Sequence, residues 1–180
     1  MQAWRKKKGL MRGVKYTCVF EPMEREVLGN LASTVAEALI ARAQSAPKDE
    51  LAEMTGMPSG HKEAPRDPSL ARLLPDFERA EDQEFEGDNA LLRSLHETDI
   101  CRQKLMNLQA ITQALGPDGG VEVTIEEADA HAWLQGLNDL RLYLAAGEVE
   151  GGEEVQEERH MLVEWLAYNQ DSLLNAMMGG

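Results

Sequence analysis

A mainly α fold is predicted for this chain, a helical bundle of four to five helices with a small two-stranded β ribbon. Three observations predict it. Long stretches place Leu, Ile, Val, Ala and Trp at helical spacing, so each presents one apolar face. Two short segments, 13–20 and 121–125, alternate with period two instead, as strands do. Polar segments with Gly and Pro separate these elements.

After a basic start, Val14, Tyr16, Cys18 and Phe20 alternate with Lys15, Thr17 and Val19, which gives the first strand. Pro22 suits a first helical turn, and Val27, Leu28, Leu31, Val35, Ala38 and Leu39 then mark a face running to about Ala43. Residues 45–66 read as a mobile loop with at most one helical turn around Asp49 to Met54. Asp67 and Pro68 open a short helix that ends before Pro75.

A second mobile, acidic segment, 76–88, precedes a long helix over Asn89 to Leu115. Leu91, Leu92, Leu95, Leu105, Leu108, Ile111 and Leu115 are its apolar points. Thr98, Asp99 and Arg102 make its middle less apolar, as for a face turned to water, a groove or a partner. A Gly-Pro-Asp-Gly-Gly turn leads to the second strand, which needs residues 13–20 as its partner to satisfy its backbone.

The best-specified helix follows. Thr124 and Glu127 have the spacing of a capping box, and Ala130, Trp133, Leu134, Leu137, Leu140 and Leu144 form its stripe. A third mobile loop, 147–158, leads into a final helix marked by Leu162, Trp165, Leu166, Leu173, Ala176 and Met177. The expected organisation is thus a basic flexible arm, 1–12, and a single mainly helical domain, 13–178, long enough to bury a real core.

Charge narrows the function. The 180 residues hold 18 Lys and Arg against 32 Asp and Glu, a formal net charge of −14. Such a surface repels nucleic acid and anionic membrane, which disfavours general DNA binding. The basic arm runs against this trend. Trp4 beside Arg5, Lys6, Lys7 and Lys8 is a candidate contact for nucleic acid or an acidic partner, the ring stacking on a base and the cations meeting phosphate. No apolar run approaches a membrane span, and a cytoplasmic protein is expected.

Cys18 and Cys101 lack metal-ligand or dithiol spacing; each reads first as a small buried hydrophobe and second as a candidate redox thiol. His61, His96, His131 and His160 are scattered, with no pair spaced for one helix face, so no metal or cofactor is expected. No phosphate loop or nucleophile elbow is present, and the chain does not read as an enzyme. Arg141, beside Asn138 and Asp139, flanks its stripe and is a candidate for pairing with a neighbouring helix or a partner. Trp133 and Trp165 read as core aromatics.

Four blocks in order, VKYTCVFEPMEREVLGNL, DPSLARLLPD, AWLQGLNDLRLYL and EWLAYNQDSLLNAM, carry a family likeness. Together they resemble the actinobacterial family of initially unknown function that includes the oxidative-stress transcriptional regulator AosR. The resemblance implies an intracellular protein linked to transcriptional control under oxidative stress, acting on a protein partner such as a sigma factor and not through catalysis. A regulator working by an intramolecular disulfide would carry closely spaced cysteines, and the N-terminal arm here has none. The leading expectation is a non-enzymatic regulatory protein whose long helix and acidic surroundings form the contact surface. The alternatives are a DNA-binding regulator using the basic arm and a self-associating, homo-oligomeric structural module.

Overall fold

The computed structural model describes residues 1–8, 13–57, 59–78, 85–117 and 119–179. Arm residues 9–12, residues 79–84 of the segment before the long helix and the turn residue Asp118 lie outside the described residues. Among those described are three strands and six helices: β1 (Arg5–Lys8), β2 (Val14–Val19), α1 (Pro22–Gln44), α2 (Glu50–Thr55), α3 (Pro68–Leu73), α4 (Phe85–Leu115), β3 (Glu122–Glu126), α5 (Glu127–Ala146) and α6 (Glu153–Met178). The fold is mainly α, as predicted.

The helix α5 occupies the centre. It meets α1, α3, α4 and α6 on its sides and β2 and β3 at its N-terminal end. Ala130, Trp133, Leu137 and Leu140 are wholly buried along it. The interior they enter is completed by Leu28, Val35 and Leu39 of α1, Leu108 and Ile111 of α4, and Leu166 and Leu173 of α6. Burying each large apolar side chain contributes roughly 1.5–3 kcal/mol, so this continuous stripe is the main reason α5 is helical in place.

The predicted capping box does not form. Thr124 stands inside β3, opposite Thr17 in the ladder, and the helix begins only after Glu126, whose backbone is extended. Sheet pairing through Glu126 commits the backbone that a cap at Thr124 would need. At α1 the opposite holds. Its first turn is closed by the Glu24 carboxylate, whose Oε2 accepts the Glu21 backbone N–H at 2.7 Å. Arg25 closes the far end of α4 by donating to the carbonyls of Leu115 and Gly116. A guanidinium there offsets the negative end of the helix dipole.

The expected ribbon is a three-stranded antiparallel sheet, ordered β1-β2-β3. Its β2–β3 pairing is the predicted one, with Tyr16 opposite Ile125 and Cys18 opposite Val123. The third strand is a departure: Arg5–Lys8, expected in a flexible arm, pairs with Val14–Thr17. Trp4 provides the reason. Its ring is buried, its Nε1 donates to Asn169 Oδ1 at 2.7 Å, and its backbone N–H donates to Ser172 Oγ at 2.8 Å. The ring stands edge-on to Trp133, with centroids 5.2 Å apart. Anchored on α6 in this way, the residues that follow run alongside β2.

The expected loops are partly helical. Asp49 caps α2 by accepting from the N–H groups of Leu51 and Ala52, α4 starts at Phe85 instead of Asn89, and α6 starts at Glu153.

Candidate functional site

The middle of α4 crosses α5 at Gly136. A β-carbon there would lie 2.7 Å from Ile111 Cδ1 and 3.3 Å from the Asn107 carbonyl oxygen, so glycine permits the close approach. Beside this crossing a groove of about 460 Å³ opens between α4, α5 and α6. Gln103, Lys104 and Asn107 line it from α4, Leu134, Gln135, Asn138 and Asp139 from α5, and Gln170 from α6. Thr98, Asp99 and Arg102, read as the less apolar middle of α4, do not line this groove; Gln103, Lys104 and Asn107 do. Asp99 and Arg102 pair with each other at 2.9 Å in solvent.

The groove's electrostatics are compensated. Lys104 Nζ lies 2.7 Å from Asp139 Oδ1, a carboxylate that is almost wholly buried. Burial raises the Asp139 pKa, and the hydrogen bond and charge of Lys104 oppose the rise without cancelling it. Buried Asn107 donates to Gln135 Oε1 and accepts from Gln103 Nε2, each at 3.2 Å. Carboxamides carry both donors and acceptors, so exposed Gln103 and Gln135 can match the peptide groups of a bound segment. Chemically the arrangement suits recognition.

A second polar cluster is not visible in the sequence. Arg93 and Glu97, one helical turn apart on α4, are buried at 1% and 3% exposure. Glu97 accepts from Arg42 Nε of α1 at 3.0 Å and lies 3.5 Å from Arg93, whose other nitrogen reaches Asp76 at 2.9 Å. These contacts fasten α1, α4 and the segment after α3 together. The available signal is the i,i+4 Arg/Glu spacing, and it continues into Cys101, Leu108, Ile111 and Leu115 as the true inward face. Leu91, expected on that face, is exposed.

Both candidate redox thiols, Cys18 and Cys101, are free and buried. Burial pushes the Cys18 thiol up to about 12 and the Cys101 thiol up to about 11, with Glu97 adding to the latter. Each is therefore overwhelmingly protonated at neutral pH. Trp4, expected to stack on a base or partner, is instead a core residue because Asn169 and Ser172 of α6 fix it inward.

Of the four cations that follow, Lys6 is half-buried and Arg5, Lys7 and Lys8 are exposed. Lys7 pairs with Glu122 at 3.1 Å, as Lys15 of β2 does with Glu126 at 2.6 Å. Arg141 donates to Asn138 Oδ1 on its own helix at 2.9 Å. His160 pairs with Glu164 at 3.2 Å in solvent. Among the described residues no three His, Cys, Asp or Glu side chains converge as metal ligands, and no helix is long and apolar enough to cross a membrane.

Residues 1–177 match the protein family described as a domain of unknown function, DUF2017. The chain is 37% identical to proteins named oxidative stress regulator AosR in Mycobacterium tuberculosis (H37Rv) and Mycobacterium bovis, over 93% of this chain and 84% of theirs. A Mycobacterium leprae protein named putative oxidative stress regulator AosR is 38% identical over 73% of this chain and 64% of its own. No solved structure matches. A match running through every element from β1 to α6 places this chain in the DUF2017 family, together with the mycobacterial proteins named AosR.

Proposed function

We propose that this chain is a non-enzymatic regulatory protein of the oxidative-stress response that binds a protein of the transcription machinery, such as a sigma factor. The observation that carries this reading is the likeness to proteins named as oxidative stress regulators over 93% of the chain. The carboxamide-lined groove between α4, α5 and α6 is the proposed contact surface. It offers peptide-matching groups and a half-buried Leu134 on a protein whose net charge of −14 steers basic partners toward it. The location of this protein in the cytoplasm belongs to the same reading. DNA binding through the basic segment fits less well, since Trp4 is buried and Lys7 already has a carboxylate partner.

The test is transcript profiling under peroxide in a strain lacking the protein. The wild-type chain restores the peroxide-dependent transcripts, and the exposed groove variant Gln103→Arg with Gln135→Arg does not. Transcripts unaffected by loss of the protein contradict the reading.

A further inference from the structure

The sulfur atoms of this chain divide between interior and surface. Both cysteines are buried, whereas Met23, Met54, Met57, Met106, Met161 and Met178 are all exposed. Two of these lie on, or directly after, one short element. α2 is well formed, capped by Asp49 at its start and by Gly56, with φ of 67°, at its end. It buries only Ala52; Leu51, Met54 and Met57 stand 73%, 85% and 58% exposed. An amphipathic helix ordinarily turns such residues inward. Here two thioethers and a leucine, three residues apart in sequence, project into solvent from the region beyond the end of α1.

We propose that Met54 and Met57 at α2 are a peroxide-modification site, and that this exposed thioether pair reacts with hydrogen peroxide before Cys18 or Cys101 does. In each step the thioether sulfur attacks one peroxide oxygen and the O–O bond breaks. One oxygen becomes the sulfoxide oxygen and the other leaves as water, so sulfur is oxidised by two electrons as the peroxide is reduced. No thiolate is needed, which matters because both thiols are buried and hold their protons at neutral pH. The product is polar, so an apolar face becomes a hydrophilic one. Because the modified atoms meet water, the fold is unaffected, and the change is reversible by methionine sulfoxide reductases. Its use as a signal rests on the regulatory reading above; its chemistry does not.

The experiment exposes the full chain to hydrogen peroxide at neutral pH and follows each methionine and cysteine by peptide mass spectrometry. Sulfoxide at Met54 and Met57 is expected to form at least about ten times faster than thiol loss at either cysteine or sulfoxide at half-buried Met177. In urea, where the thiols regain their ordinary acidity, cysteine loss should overtake it. Hydrophobic-interaction chromatography supplies a second readout: oxidation shortens retention, and Met54→Leu with Met57→Leu makes that shift smaller. Thiol loss that leads in the native protein, or sulfoxide at Met54 and Met57 no faster than at Met177, overturns the proposal. A chain that oxidises in the expected order but leaves peroxide-dependent transcripts untouched overturns only the regulatory reading.

Discussion

Glu97 balances two arginines from inside the protein, and its removal shows how much that balance contributes. Glu97→Ala leaves Arg93 buried beside Arg42 without the shared carboxylate, and should destabilise the fold by about 3–5 kcal/mol in urea unfolding. Asp99→Ala, which breaks the exposed pair with Arg102, should cost no more than about 0.5 kcal/mol. Equal costs would show that the buried network is not what fastens α1 to α4.

The Cys18 thiol makes a second prediction. Its pKa is about 12 in the folded chain against 9.0 as the ordinary value. The native state therefore keeps a proton that the unfolded state loses. The stability this contributes is fully present below pH 9 and is lost as pH rises toward 12. Cys18→Ala should flatten the alkaline fall in unfolding free energy, whatever its effect on packing at neutral pH.

Between elements, contact is governed by Gly136 and Trp4. Gly136→Val drives side-chain carbon into Ile111 and the Asn107 carbonyl, and is expected to cost about 1–3 kcal/mol while separating α4 from α5. The measurement is thermal unfolding together with the near-ultraviolet signal of Trp133. Trp4→Ala removes the anchor of β1 and should cost about 3–5 kcal/mol, with amide exchange of Arg5–Lys8 rising toward the rate of free chain. Protection that persists in the variant would mean β1 holds by strand pairing alone.

These elements differ in how much of their placement is written locally in the residues. The strands β2 and β3 and the approximate extents of α1 and α5 follow from periodicity, because burial on one face leaves a local record; the β2–β3 pairing follows from backbone satisfaction and α3 from Asp67, Pro68 and Pro75. β1 does not, since four successive cations carry no alternation and the strand depends on a tryptophan docking on α6, far along the chain. The inward face of α4 escapes periodicity for a similar reason. Arg93 and Glu97 look like surface residues until Arg42 and Asp76 arrive from elsewhere to compensate them. The groove's residues are not legible: the polar letters Asp99 and Arg102 pair in solvent, its α4 wall is Gln103, Lys104 and Asn107, and its α5 wall is hidden beside a stripe that reads simply as core.

The whole molecule is an acidic body organised around α5, with the proposed contact groove between α4, α5 and α6. Recognition by such a body should carry an electrostatic share, so partner binding should weaken with added salt, chiefly through slower association. The most direct test of the proposed function is calorimetric titration of the full chain into purified actinobacterial sigma factors, beside the Gln103→Arg, Gln135→Arg variant. At least one sigma factor should bind with Kd of about 1 μM or tighter, and the variant should bind it at least tenfold more weakly while still unfolding as one cooperative domain. Binding to no sigma factor, or equal binding by the variant, would contradict it.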